Sequence, residues 1–205
     1  CDNPLNFLYF SNLSYHCEDI NSYIPNILKE LNSIPSVWEH PSRPLKKGFQ
    51  STSDIFSNPR PHLNYLKSII TKEIDKFYEK FKKQNCIFIQ KWPYKKHIKG
   101  WHVTLKEQGY QNAHIHPLGW LSGVIYLKVV PPLGSNEGAI EFNRSGPNCY
   151  NPNSSKKIYN PELGDIIFFP SSLYHKTIPF YTNSERIIIS FDLQPNFNDP
   201  NPSGV

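Results

Sequence analysis

Two amphipathic stretches precede a series of short apolar runs, and this order indicates the fold class. Residues 18–33 carry apolar side chains at helical spacing, and residues 61–83 carry a longer apolar stripe opposite lysines and glutamates. Both patterns predict helices, the second lying on a flat surface. Between them, residues 34–60 are rich in Pro and Ser and predict a long loop.

From Cys86 onwards the chain changes to short apolar or alternating runs separated by Gly, Pro and Asn, which are typical of strands. The runs are CIFIQKW, KGWHVTLK, GWLSGVIYLKVV, GAIEFNR, GDIIFFP and RIIISFDLQ. Helices followed by strands predict an α+β, mainly β protein, in which helices pack on one sheet of an antiparallel sandwich or barrel. We expect one domain over 1–205, with a helical and loop part over 1–85, a β core over 86–195 and a tail over 196–205.

Composition excludes some partners without identifying others. The 205 residues include 22 Lys and Arg against 17 Asp and Glu, a net charge of +5. This mild excess favours a solvated face over a nucleic-acid surface, since no arginine-rich stripe accompanies it. No run of 18 apolar residues predicts a membrane span. We therefore expect neither nucleic acid nor membrane as a partner, while homo-oligomerisation stays open.

The cysteines indicate a compartment. The four are far apart and form no CxxC pair, so we expect reduced thiols in a cytoplasmic protein. The chain begins at Cys1 and contains no methionine. We expect a fragment or processed form of a longer protein, whose N-terminal portion could hold further domains.

Three histidines are candidates for a metal site. His114 and His116 are two residues apart in GYQNAHIHPLGWLSGVIYL, so on an extended chain they project to the same face. His175 follows an apolar strand and a Pro-Ser-Ser turn, from which it could approach the other two. Imidazoles that converge in this way can bind one cation. The alternative is a surface pair and an unrelated turn histidine.

Arg186 lies on a predicted strand whose apolar residues are typical of a protein core. Arg186, Ile188 and Ser190 share one face of RIIISF. A guanidinium is costly to bury without an anion, so this one predicts a ligand carboxylate held by its two-pronged fork, with Ser190 as a second donor. The alternative is an internal salt bridge, for which Glu141 and Asp192 are candidates.

The combined motifs resemble a known family. HIHPLGWLSGVIYL, GDIIFFPSSLYHKTIPFYTNSERIIISF and GFQSTSDIF (residues 48–56) are similar to the iron(II)- and 2-oxoglutarate-dependent oxygenases of the prolyl-hydroxylase-like superfamily. They are most similar to an uncharacterised group with the pattern HxHP…LSGVxYL…H…R. The resemblance covers roughly residues 45–195. It implies a double-stranded β-helix, or jelly roll, with the N-terminal helices packed on one sheet.

The resemblance also implies cofactors and roles. These are Fe(II), 2-oxoglutarate as cosubstrate and O₂, used to hydroxylate a C–H bond with succinate and CO₂ as co-products. The implied metal ligands are His114, His116 and His175, and the implied cosubstrate contacts are Arg186, Ser190 and Tyr126. The family's usual triad has two histidines and one carboxylate, and His116 occupies the carboxylate position. Either His116 is a third ligand, or it stands beside a two-histidine site completed by water or another residue.

The substrate is not evident from the sequence, and a small molecule or a peptidyl group would each be compatible. We expect Asn112, Trp120 and Trp101 at the substrate pocket, with residues 34–60 and 135–161 as candidate lids. Two other functions fit the strands and histidines. One is a cupin-type three-histidine dioxygenase that works without 2-oxoglutarate, and the other is a non-catalytic jelly-roll binding module. The spacing of Arg186 and Ser190 favours the cosubstrate clamp over the cupin-type dioxygenase, while metal uptake and turnover of 2-oxoglutarate would separate an enzyme from a binding module.

Overall fold

A computed structural model describes residues 3–131, 134, 136–146 and 154–195. The helices are α1 (Ile20–Leu31), α2 (Pro61–Phe81) and α3 (Ile87–Gln90). The strands are β1 (Tyr9–Asn12), β2 (Ser36–Trp38), β3 (Leu45–Ser51), β4 (His97–Gln111), β5 (Leu121–Lys128), β6 (Ile140–Asn143), β7 (Lys156–Tyr159), β8 (Asp165–Pro170), β9 (Tyr174–Thr177) and β10 (Arg186–Gln194).

The strands form two antiparallel sheets that pack face to face. The larger sheet has the order β1-β8-β5-β10-β4-β3-β2, and the smaller has the order β7-β6-β9. Apolar side chains from both sheets fill the space between them, and Phe142 of β6 lies 5.1 Å from Phe169 of β8 between ring centroids. This is the jelly roll that the motifs predicted.

The helices cover the outer face of the larger sheet, as expected. The apolar stripe of α2 packs there with side chains from β5, β8 and β10, including the fully buried Phe77 and Phe191. The two long helices are joined by Glu30 of α1, whose carboxylate accepts the backbone N–H groups of His62 and Leu63 at 3.0 and 2.9 Å. A carboxylate at this position satisfies donors at the start of α2 and complements the helix dipole.

The N-terminal part contains more strand than predicted. The prediction of helices and loops alone over residues 1–85 is wrong, because β1 lines one edge of the larger sheet while β2 and β3 extend the other. The predicted strand CIFIQKW is also wrong, since Ile87–Gln90 form a short helix. Short apolar runs do not distinguish a strand from a buried helical turn. The predicted tail over 196–205 lies outside the described residues.

The segment that resembled the upstream family motif holds β4 in place. Asp54 accepts the backbone N–H of Gly100 at 2.9 Å, and Ser51 accepts that of His102 at 3.1 Å. Phe56 lies so close to Gly100 that an added Cβ there would meet the ring at 2.4 Å. The motif therefore has a structural role, in which it positions the long strand that leads to the histidine pair.

The cysteines differ from their predicted state. Cys86 is disulfide-bonded and Cys17 is free, while Cys1 and Cys149 lie outside the described residues. The prediction of reduced thiols is therefore wrong for Cys86. Because disulfides are rare in the cytosol, the predicted cytoplasmic location loses the support it drew from the cysteines. Among the described helices, none is both long and apolar enough to cross a membrane.

Candidate metal and cosubstrate site

Backbone hydrogen bonds bring the three histidines together. His114 lies in the extended link between β4 and β5, and it exchanges reciprocal N–H···O=C bonds of 3.1 Å with His175 of β9. The backbone N–H of His116 donates to the carbonyl of Ser171, in the turn after β8, at 2.9 Å. The histidine pair is therefore fixed against the turn and strand that carry His175.

The three imidazoles converge at one end of the space between the sheets. Their ring centroids are 5.3 Å apart for His114 and His116, 4.3 Å for His114 and His175, and 5.0 Å for His116 and His175. One potential ligand atom from each residue lies within 4.8 Å of the other two. This spacing is close enough for one ion to contact all three.

Hydrogen bonds set the tautomer of each ring. Nδ1 of His114 contacts the carbonyl of Asn112 at 2.7 Å, and Nδ1 of His175 contacts the carbonyl of Leu173 at 3.1 Å. Nδ1 of His116 contacts the Asp192 carboxylate at 2.6 Å. Because a carbonyl can only accept, Nδ1 of His114 and of His175 must carry the hydrogen, and the carboxylate favours the same tautomer in His116. Nε2 of each ring is left with its lone pair, as a metal ligand requires.

Burial keeps the His114 and His175 rings neutral. The pKa of His114 is lowered to about 4, mainly by desolvation and then by the neighbouring His116. Desolvation, and after it the two nearby imidazoles, holds the pKa of His175 well below its usual range. Neutral imidazoles are the ligating form, so neither of these two rings needs to lose a proton to bind a cation near neutral pH.

Arg186 lies between the sheets, and no acidic residue of the described part of the chain pairs with it. It is 1% exposed, and its Nε and Nη1 atoms have no hydrogen-bond partner among the described residues. Its guanidinium carbon stands 4.9 Å from the centre of the Tyr126 ring. The internal salt bridge considered from the sequence is absent, because Glu141 pairs with Lys176 at 3.2 Å and Asp192 pairs with His116. Arginine stays charged even where burial lowers its pKa, so this group requires an anion.

Two cavities meet at the histidines. The outer one has a volume of about 350 Å³, and the inner one is much smaller at about 20 Å³. Gln111, His114 and His116 line both of them. Arg186 and Ser190 line the inner cavity together with His175. The structure therefore places the unpaired guanidinium and the imidazole cluster on the walls of one small space.

The predicted substrate residues have different positions. Trp101 lines the outer cavity, with its ring 5.4 Å from that of His116. Asn112 is exposed and reaches the site through its backbone carbonyl. Trp120 does not line either cavity, which contradicts the expectation. Its Nε1–H donates to the carbonyl of Phe88 at 3.0 Å and its ring stacks on the Phe88 ring, because the side chain points to the helical side of the sheet.

Of the two predicted lids, the first reaches the cavity in part. Ser42, Arg43 and Pro44, which link β2 to β3, line the outer cavity, whereas residues 132, 133, 135 and 147–153 around and within the second lie outside the described part. Sequence reasoning did not assign Asp192 or Ser122 to the site. Strand alternation carries a signal for Asp192, since it shares the face of Arg186 and Ser190.

Fold and site together define a class of protein. It is a jelly roll that presents a histidine cluster and a buried guanidinium to one cavity, as a metal-dependent enzyme with an anionic cosubstrate would. Residues 99–192 match the family described as "Putative 2OG-Fe(II) oxygenase". The match covers just under half of the chain, and over this segment it confirms the resemblance drawn from the motifs. Fe(II) and 2-oxoglutarate, which the family description names, are confirmed as cofactors at the level of the family.

Solved structures of the same fold include several enzymes. A Pseudomonas putida prolyl-4-hydroxylase aligns with a TM-score of 0.63 at 9% identity, over 92% of each chain. HygX from Streptomyces hygroscopicus, solved with nickel and 2-oxoglutarate, aligns at 0.60 and 10% identity over 93% of this chain and 83% of its own. The carbocyclase SnoK of nogalamycin biosynthesis aligns at 0.63 and 11% identity over 94% and 83%. At these identities the likeness concerns the fold alone. A search of curated proteins finds no match.

Proposed function

We propose that this chain is a 2-oxoglutarate-dependent oxygenase that hydroxylates a C–H bond of a small-molecule or peptidyl substrate, with succinate and CO₂ as co-products. In this proposal His114, His116 and His175 hold Fe(II) through Nε2. Arg186 binds the distal carboxylate of 2-oxoglutarate, assisted by the Ser190 hydroxyl. When bound together, iron, 2-oxoglutarate and O₂ supply the oxidising chemistry.

The observation that carries the proposal is the unpaired Arg186 guanidinium beside the three imidazoles. A binding module would gain nothing from a buried cation with two unsatisfied donors. A three-histidine dioxygenase without 2-oxoglutarate would not need it either. A dicarboxylate can satisfy both features, since one end can contact a metal at the histidines while the other accepts the guanidinium hydrogen bonds.

The remaining residues orient and enclose the reactants. The ring face of Tyr126 lies against the Arg186 guanidinium and attracts its positive charge in a cation–π interaction. Trp101 forms a wall of the outer cavity next to His116, where a substrate would lie. The inner cavity of about 20 Å³ holds roughly one water molecule. Binding of 2-oxoglutarate therefore requires the side chains that line this cavity to move apart.

Metal content and cosubstrate turnover test the proposal. After anaerobic reconstitution with Fe(II), we expect about one iron per wild-type chain and little in His175→Ala, measured by elemental analysis. His97→Ala is the matched control, since it removes an exposed histidine outside the site. Wild type should form succinate from 2-oxoglutarate under O₂, and Arg186→Ala should not while keeping its iron. Full iron in His175→Ala, or no binding and no turnover of 2-oxoglutarate by wild type, would overturn the proposal.

A further inference from the structure

Behind His116 lies a buried polar network. The Asp192 Oδ1 atom is 2.6 Å from Nδ1 of His116 and 2.6 Å from the Ser122 hydroxyl oxygen, which itself lies 2.9 Å from the same Nδ1. The Ser122 oxygen lies 2.8 Å from that of Ser171. Since the Ser122 proton is directed to Asp192, Ser171 donates to Ser122. The carboxylate thus accepts from His116 and Ser122, and the chain of donors ends at Ser171.

This network is part of the protein interior. Ser122 is 0%, Ser171 1% and Asp192 7% exposed. Gly119 closes it on one side, where an added Cβ would stand 2.5 Å from the Ser171 hydroxyl and 3.0 Å from the Asp192 carboxyl carbon. A carboxylate so enclosed interacts strongly with the imidazole N–H that it faces, because little water screens the pair.

Among the described residues, Asp192 has no other evident role as an ion-pair partner or a metal ligand. It lies six residues after Arg186 on β10, roughly 20 Å along an extended strand, so it cannot neutralise that guanidinium. Its oxygens are not among the convergent potential ligand atoms, which come from the three histidines. What it contacts is the histidine that stands in the position where the usual triad of this family has a carboxylate.

We propose that Asp192 is a positioning residue that supplies, through His116, the negative charge that a ligating carboxylate supplies in a two-histidine, one-carboxylate centre. The proposal rests on the proposed function, in which His116 ligates Fe(II). By accepting the Nδ1 hydrogen bond, Asp192 fixes the ring orientation and raises the electron density at Nε2, which makes the imidazole a stronger ligand. In this arrangement the site still contains a carboxylate, but the carboxylate contacts a metal ligand instead of the metal.

A double-mutant cycle on Fe(II) affinity tests this idea. The variants are Asp192→Asn, His116→Asp and the two combined, with anaerobic Fe(II) titrated against a chromophoric chelator. Asn keeps the size of Asp192 but loses its charge, and we expect affinity to fall about 10- to 100-fold, the usual effect of losing such a partner. In the His116→Asp background the same change should have less than a threefold effect, because no imidazole remains for Asp192 to act on.

A merely structural role for Asp192 predicts a different pattern. Damage to packing would carry over into the His116→Asp background, so Asp192→Asn would weaken Fe(II) binding equally in both. That result, or wild-type affinity in Asp192→Asn, would overturn the inference. Glu141→Gln is the control for charge, since Glu141 is also buried but pairs with Lys176 instead of a histidine. Its affinity should match wild type.

Failure of this inference is distinguishable from failure of the proposed function. If wild type binds Fe(II), His175→Ala does not, and Asp192→Asn binds as wild type does, only the role of Asp192 is wrong. If His175→Ala binds Fe(II) as tightly as wild type, the metal site itself is wrong and the role of Asp192 falls with it.

Discussion

Replacing Arg186 with methionine should stabilise the cosubstrate-free protein and at the same time abolish its response to 2-oxoglutarate. The reason is that the guanidinium is 1% exposed, with two nitrogens that lack hydrogen-bond partners among the described residues. An uncompensated buried charge lowers the stability of a fold. Methionine is flexible and of similar length, so it can fill the space without introducing a polar group.

The size of the effect follows from opposing contributions. Desolvating one charge costs several kcal/mol in a real protein. The Tyr126 ring beneath the guanidinium returns about 0.5–2 kcal/mol. A net gain of about 1–4 kcal/mol on substitution is in line with replacements of buried charges by apolar residues. For a chain of 205 residues, each kcal/mol shifts the unfolding temperature by about 2–4 °C, so Tm should rise by roughly 2–16 °C.

The cosubstrate should stabilise the wild type but not the variant. At a concentration of 100 times Kd, 2-oxoglutarate adds about 2.7 kcal/mol to wild-type stability. It should add nothing to Arg186→Met, because the anion has lost its partner. Thermal unfolding with and without 2-oxoglutarate and a redox-inert divalent metal measures both effects. Arg144→Met, at an exposed arginine, is the control and should leave both unchanged.

Two results would refute this reasoning. A lower Tm for cosubstrate-free Arg186→Met would mean that the guanidinium is satisfied in the fold and serves stability. An equal stabilisation of both proteins by 2-oxoglutarate would mean that the dicarboxylate binds elsewhere. The first result would remove the observation on which the proposed function rests, and the second would remove the assigned role of Arg186.

Three further predictions concern stability. Metal-free protein should lose stability as the pH falls from about 6.5 toward 4, because burial lowers the pKa of His102 and His114 to about 4, so that in this window these two histidines take up protons only in the unfolded chain. Urea midpoints that stay constant from pH 7 to 5 would contradict this prediction. Gly123→Ala should lower the free energy of unfolding by about 1–3 kcal/mol or more, since the new Cβ would stand 2.2 Å from the Phe191 ring. An unchanged denaturant midpoint would show that the ring moves away at no cost. A reductant should lower the wild-type Tm by breaking the Cys86 disulfide but should not affect the Tm of Cys86→Ser; loss of a native disulfide typically costs about 2–5 kcal/mol of stability. Equal sensitivity of both proteins would assign the effect to another group.

The sequence predicted the parts of the fold that depend on local periodicity. The stripe of α2 and the alternation of β10 are visible because each buries one face against a layer. β1, β2 and β3 were missed because they lie at or near the edges of the larger sheet, and β1 pairs with β8, which is distant in sequence. For the same reason CIFIQKW, which forms α3, could not be distinguished from a strand by its own residues.

The same distinction between local spacing and distant contacts applies to the residues of the site. His114 and His116 are related by local spacing, whereas the approach of His175 depends on a bridge between segments about 60 residues apart. The prediction that His175 joins the pair therefore came from the motif resemblance. Trp120 was misplaced because the chain turns between His116 and β5, and the ring then stacks on Phe88 on the helical side of the sheet. The Asp192 contact with His116 spans 76 residues, and a single sequence contains no sign of which acid will face which histidine.

One strand connects the site to the rest of the fold. β10 pairs with β4 on one side and β5 on the other, and its alternate residues Arg186, Ser190 and Asp192 face the cavities. A slip of one residue would turn all three toward the helices. The opposite face of β10 prevents this, because Phe191 packs under the helical layer and against Gly123. The register that buries this ring therefore also positions the guanidinium and the carboxylate, so substitutions behind the sheet should disturb metal and cosubstrate binding without contacting either.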